Sequence, residues 1–274
     1  MKKWNVNLTL ERPFGPWVLR GKLPDDILQK MIRITDKITD DAKKISMGPG
    51  LAGIIEDEPF IPGEILRAEG VYDFFIDLVK YYGNTSIEMA MKNNDTLKDL
   101  INTNYTPDTD HINKQTTPKL KVNLTSMWIV NQKENEYNPA HLHTNATISS
   151  VMYLKIPKYK PRNIPGKSNM DGKIEFIHHA SGEMWKRFEL GTWAHQPEVG
   201  DIFMWPADLL HTVYPFLGDG IRRSCSFNAI HEFQYLPTEQ IHEQQKNVIS
   251  MKEARLQTKV DLLEDKLNKL QDKK

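Results

Sequence analysis

Four residues of this chain have the chemistry of a metal centre with an anion-binding partner. They are His141, His143, His211 and Arg222. In an extended strand, side chains two positions apart share a face, so His141 and His143 can grip one ion from a single strand. His211 follows Gly200-Asp-Ile-Phe-Met-Trp205, which reads as another strand. Three imidazoles leave about three positions open on a six-coordinate ion, a donor set that suits non-haem iron. Arg222 offers a planar fork of donors, the geometry that holds a carboxylate through two parallel hydrogen bonds. On the strand Ile221–Ile230, Arg222, Ser224 and Ser226 fall on one face while Arg223, Cys225 and Phe227 fall on the other. Arg222 and Ser224 can therefore hold one carboxylate together. Each signal has a bland counterpart. Nine histidines generate HxH pairs by chance, and a half-exposed strand can carry two solvated arginines.

These residues need a rigid scaffold, and the sequence supplies material for one. With 274 residues and 39% hydrophobic content, the chain can bury a substantial core. Lys and Arg together number 36, as do Asp and Glu, so the formal charge is zero. That disfavours a nucleic-acid partner, which needs a strong positive field. The one cysteine, Cys225, cannot form an internal disulfide, in keeping with a reducing cytoplasm. The N-terminus lacks the apolar block of a signal peptide, and no apolar run reaches membrane-spanning length, so no membrane partner is expected.

The pattern changes along the chain. Residues 1 to about 22, with Pro13, Gly15 and Pro16, read as a short strand and turns. The spacing of Ile27, Leu28, Met31, Ile32, Ile34 and Ile38 predicts a helix from Ile27 toward Lys44, capped by Asp25 or Asp26. A second helix is predicted over Gly63–Lys80, and a short one around Ile87–Lys92. After Pro118 the period becomes two. Strands are predicted through Val122–Val130, Ala146–Ile156, Lys173–His178, Trp185–Leu190, Asp201–Trp205 and Ile221–Ile230. The segments 131–140 and 157–170 read as loops that flank the mouth of a site and contact substrate; His178, His179 and His195 could line it, but they read better as exposed, solvated histidines. The expectation is a mainly β protein, a jelly roll with N-terminal flanking helices and a C-terminal amphipathic helix. A single domain would span 1–237, helical over 1–118 with its β core over 119–237. The helix over 238–274, with Ile249, Leu256, Val260, Leu263, Leu267 and Leu270 in three-four spacing, would either fold back on the domain or join copies into a homo-oligomer.

Taken together, Trp128-Ile-Val-Asn131, Tyr137-Asn-Pro-Ala-His141-Leu-His143, Ile148–Pro157, Gly200–Pro206, His211-Thr-Val-Tyr-Pro215 and Arg222–Asn228 resemble the iron(II)- and 2-oxoglutarate-dependent oxygenases. The nearest likeness is to a branch found in bacteria and phages that is itself similar to prolyl 4-hydroxylases. The resemblance covers about residues 120–230. It implies a double-stranded β-helix and a hydroxylating dioxygenase that consumes 2-oxoglutarate and O2 on Fe(II). By position it makes His141, His143 and His211 the metal ligands. It gives Arg222, Ser224, Tyr153 and, more weakly, Asn131 to the co-substrate, and no catalytic residue beyond the ligands. Most of the superfamily carries Asp or Glu where this chain has His143, and three imidazoles leave the ion with a charge of about +2 rather than +1. Were His143 outside the shell, Asn145 or a water would complete it. The implied substrate is a peptidyl proline, another amino-acid side chain or a small metabolite. Two other readings fit the residues: a cupin-like three-histidine metalloenzyme without 2-oxoglutarate, and a non-catalytic jelly-roll assembly module.

Overall fold

The computed structural model describes residues 6–11, 15–93, 119–162, 164–178 and 191–234. The chain divides into two units, Met1–Met89 with Leu120–Glu232, and Ala90–Lys119 with Phe233–Lys274. The second lies almost wholly outside the described residues, as do the expected C-terminal helix, the expected strand Trp185–Leu190 and His179.

The first unit is built on a six-stranded antiparallel sheet with a four-stranded one against it. In chain order the strands are β1 (Leu8–Glu11), β2 (Val18–Lys22), β3 (Lys119–Gln132), β4 (Asn138–His141), β5 (Ile148–Lys155), β6 (Ile174–Ile177), β7 (Thr192–His195), β8 (Asp201–Pro206), β9 (Leu210–Val213) and β10 (Arg222–Gln234). The large sheet runs β1-β2-β8-β5-β10-β3 and the small one β4-β9-β6-β7. Among the described residues three α-helices accompany them: α1 (Asp25–Thr39), α2 (Gly63–Ala68) and α3 (Tyr72–Asn93). The fold is mainly β and jelly-roll-like.

The large sheet is covered on both faces, so its strands read as nearly continuous apolar runs whose alternate residues go to different cores. Met127, Ile129, Met152, Leu154, Ile202, Met204, Cys225, Phe227 and Ala229 join α1, α2 and α3 in one cluster. Their neighbours Val151, Tyr153, Phe203 and Trp205 join Ile174, Phe176 and Val213 of the small sheet in a second cluster. Helix α1 contributes Ile27, Met31, Ile34, Thr35 and Ile38, the stripe that its spacing predicts.

Four boundaries differ from the sequence expectation. Helix α1 starts after Pro24, and Asp25 and Asp26 lie in its first turn without making a side-chain cap. The helix expected over Gly63–Lys80 is two helices, and the second runs unbroken through the segment 87–92. The break is a Schellman turn. Gly70 takes φ 67°, the Gly70 N–H donates to Arg67 O, and the Val71 N–H donates to Leu66 O. Strands β1 and β2 extend the large sheet beside β8, so the region 1–118 is not only a helical flank. Strands β7 and β9 appear where no strand was expected, and the expected loop at 131–140 shrinks because β3 runs through Gln132 and β4 starts at Asn138.

Candidate metal and co-substrate site

The convergence of the histidines comes from strand register. Strand β4 ends at His141, and His141 pairs directly opposite His211 of β9. Their ring centroids are 4.3 Å apart. His143 lies past the end of β4, so the expected shared strand face does not bring it in. The loop after β4 does. The His143 N–H donates to Ala207 O at 2.9 Å, and its ring stacks on Trp128 at 5.9 Å. The His143 ring centroid is 5.2 Å from that of each of the other two. One nitrogen from each ring falls within 4.8 Å of the others.

Hydrogen bonds select which nitrogen faces the common centre. His141 Nδ1 lies 2.7 Å from Pro139 O, and His211 Nδ1 lies 3.0 Å from Leu209 O. A carbonyl only accepts, so Nδ1 of both rings carries the proton and Nε2 keeps its lone pair. Burial lowers the pKa of His141. It pushes His143 down to about 4, with help from neighbouring His141, and it drives His211 well below the usual imidazole range. All three are neutral near pH 7, the form that binds a metal. Asn145, the alternative donor, is exposed and does not line the cavity.

The histidines open onto a cavity of about 210 Å³. Its other end is formed by the polar face of β10, where Arg222, Ser224, Ser226 and Asn228 follow one another at period two, opposite Tyr153 of β5. Arg222 is 1% exposed, and no carboxylate among the described residues pairs with it. Its guanidinium donates to Gly172 O at 2.9 Å and to Gln132 Oε1, which fixes its plane. Arg222 Nε, the Tyr153 hydroxyl and Trp205 Nε1 are buried without a hydrogen-bond partner among the described residues. Burial raises the Tyr153 phenol, which stays protonated and able to donate. A buried cation beside several unsatisfied donors is costly unless an anion fills the space between them. The donor set therefore fits both groups: three neutral imidazole nitrogens for a divalent ion, and a ring of donors for a carboxylate.

Not every expected residue faces this cavity. Asn131 sits on the opposite face of β3, one step out of phase with Trp128 and Val130. Its amide donates to Asp57 Oδ2 at 2.7 Å and to Thr39 Oγ1 at 3.2 Å, and its Oδ1 accepts from Arg223 Nε at 2.6 Å. Its neighbour Gln132 stands beside Arg222 instead. His195 turns to Asp201, His178 is exposed on the end of β6, and neither lines the cavity. The loop 157–170 contributes no lining residue either. Its Tyr159 packs against Gly172, whose φ of 68° and lack of a side chain allow that approach; a Cβ there would lie 2.5 Å from the tyrosine oxygen. The rim is instead supplied by Gly50, Leu51, Ala52 and Glu58. Gln132 and Asn228 could have been read from the period-two faces of their strands. Glu58 had no such signal.

Residues 126–228 match the family model described as "Putative 2OG-Fe(II) oxygenase". No curated protein matches the chain. Among solved structures, a 2OG-Fe(II) oxygenase family oxidoreductase from Burkholderia pseudomallei is 13% identical, with 45% of this chain and 52% of that one covered and a TM-score of 0.29. The chain thus spans about half the length of that protein. A prolyl-4-hydroxylase from Pseudomonas putida is 13% identical over 82% of this chain and 93% of its own, with a TM-score of 0.39. HygX from Streptomyces hygroscopicus, solved with nickel, 2-oxoglutarate and hygromycin B, is 11% identical over 79% and 83%, also with a TM-score of 0.39. Over residues 126–228 the chain is thus similar to the 2OG-Fe(II) oxygenases, oxidoreductases that work with iron and 2-oxoglutarate.

Proposed function

We propose that the chain is a dioxygenase that hydroxylates an amino-acid side chain, presented by a peptide such as one containing proline or by a free amino acid. The observation that carries this reading is the pairing, in one cavity, of three neutral imidazoles within 4.8 Å with a buried arginine that has no carboxylate partner. His141, His143 and His211 hold Fe(II), the first and last through Nε2. Arg222, with the Ser224 and Tyr153 hydroxyls, receives the far carboxylate of 2-oxoglutarate. When bound, iron and 2-oxoglutarate supply the oxidative decarboxylation that yields succinate and carbon dioxide and delivers one oxygen atom to the substrate. The protein contributes orientation and exclusion of water. Gly172 O and Gln132 keep the Arg222 fork aimed along the cavity, and Trp128 and Asn228 keep the His143 ring in place. The volume of about 210 Å³ lies below the roughly 300–1,000 Å³ of sites that enclose a whole drug-sized ligand. Beside a bound co-substrate it admits a side chain while the rest of the substrate stays outside.

The test is succinate formation by the full chain given Fe(II), 2-oxoglutarate, ascorbate and O2, alongside anaerobic Fe(II) titration. Turnover that needs both iron and 2-oxoglutarate supports the reading. Iron binding with no 2-oxoglutarate affinity points to a three-histidine metalloenzyme of another kind, and no affinity for any divalent metal points to a non-catalytic module. His143→Asp restores the more common carboxylate and is expected to keep both iron and turnover. Complete loss of metal in that variant refutes position 143 as a ligand.

A further inference from the structure

Glu58 lies outside the matched family segment, yet it lines the same cavity as the histidines and Arg222. It is 2% exposed, and its Oε2 has no hydrogen-bond partner among the described residues. The acidic groups around it are already engaged. Glu56 pairs with Lys133 at 2.6 Å, and Asp57 pairs with Lys44 at 2.9 Å. Glu136 accepts from the Lys133 and Glu56 backbone N–H groups at 2.7 and 3.2 Å, and its charge raises the Glu58 pKa further than burial alone does. Among the described residues lining the cavity, Glu58 is the only carboxyl and Arg222 the only permanent cation. It is not part of the metal cluster, whose members are the three histidines alone. Its surroundings leave it room: Gly53 is placed so that a Cβ there would lie 3.4 Å from Glu58 Oε1 and would collide with the Asn138 side chain.

A buried carboxylate without a donor is unfavourable until a donor arrives, and a cationic donor compensates it best. The far carboxylate of 2-oxoglutarate is assigned to Arg222, which leaves Glu58 as the cavity's charged group without a role toward iron or co-substrate. We propose that Glu58 is a specificity-determining residue that receives a positively charged nitrogen, an amine or guanidinium, of the substrate. This rests on the oxygenase reading for the word substrate, but the recognition itself is a property of the chain. It selects basic side chains or amino-bearing metabolites over apolar ones.

The experiment compares n-butylamine and n-butylguanidine, both cationic near pH 7.5, with n-butanol, a neutral ligand of the same length. Binding to the full chain is measured calorimetrically, first without additions and then anaerobically with Fe(II) and 2-oxoglutarate. The cations are expected to bind roughly tenfold more tightly than the alcohol, as one charge-assisted hydrogen bond allows. Glu58→Gln should erase that ratio while leaving Fe(II) and 2-oxoglutarate affinities unchanged. Equal affinities for cation and alcohol in the unaltered protein overturn the proposal, and that comparison needs no variant to fold. A preference that survives in Glu58→Gln overturns it too, as does loss of iron affinity in that variant, which would make Glu58 a ligand instead. Failure of the chain to bind 2-oxoglutarate overturns the oxygenase reading, whereas the cation-to-alcohol ratio without additions judges Glu58 by itself.

Discussion

The two faces of β10 do opposite work with the same backbone. Cys225, Phe227 and Ala229 are fully buried against the helices, and Phe227 meets the Phe75 ring at 5.4 Å. One residue out of phase, Arg222, Ser224, Ser226 and Asn228 line the cavity. The first face is satisfied by its own neighbours. The second, with Tyr153 and Trp205, is left with donors that no group among the described residues meets. The strand separates stability from chemistry by a single 3.3 Å step. Substitutions on one face should therefore change unfolding, and substitutions on the other should change ligand affinity.

The largest expected effect lies on the apolar face. Phe227→Ala empties a packed ring site and should cost about 3–5 kcal/mol of stability. Thermal unfolding checks it, and the protein that remains folded should bind iron as before. Next in size is His211→Ala on the paired strand β9. Changes to groups that merely orient a ligand weaken metal binding about 10–100-fold, so removal of a ligand should exceed 100-fold. Unaltered anaerobic Fe(II) binding would refute the ligand role. Arg222→Ala follows, with 2-oxoglutarate affinity falling roughly 100-fold, as for truncation of one partner of a buried charge pair. Iron affinity should hold, because Arg222 makes no contact with the histidines. Equal 2-oxoglutarate affinity in this variant would dismiss Arg222 as the anchor.

Period-two alternation made these two faces legible in the sequence, which is why Arg222, Ser224 and Ser226 could be grouped before any coordinates. The same alternation misplaces Asn131: β3 puts it in phase with Met127 and Ile129, so it meets Asp57 and Thr39 rather than the cavity. The histidine types and spacing indicated a metal, yet their convergence was not readable. It depends on the register His141↔His211 between strands about 70 residues apart, and on a loop bond from His143 to Ala207. No local pattern encodes either. The amphipathic stripe of α1 was plain, whereas the break between α2 and α3 turns on the conformation of one residue, Gly70. Glu58 was silent because the last acid of the run Glu56-Asp57-Glu58 looks like any surface charge until the fold closes over it.

Two buried carboxyls carry the contrast of satisfied and unsatisfied groups into pH dependence, the subtlest of the effects. Asp201, at the start of β8, is 2% exposed. Burial alone would raise its pKa. The Lys22 ammonium and the Glu198 N–H, both 2.8 Å away, with the His195 ring at 3.5 Å, outweigh that and bring it down to about 2. A carboxyl whose folded pKa is depressed stabilises the fold above its unfolded pKa of about 3.9, and that contribution disappears as pH falls through the folded value. Asp201 should therefore supply about 2 kcal/mol that is lost between about pH 4 and pH 2. Glu58 has the opposite sign. Burial, then the Glu136 charge, raises it to about 7, so the folded state holds a proton that the unfolded state has released, and stability should fall as pH climbs from about 4.5 to about 7. Denaturant unfolding across pH 2–8 separates the two. Asp201→Asn should flatten the acid limb and leave the neutral one, while Glu58→Gln should flatten the neutral limb and leave the acid one. An unchanged acid limb in Asp201→Asn would mean that Lys22 and the Glu198 N–H do not hold the carboxylate in the folded protein.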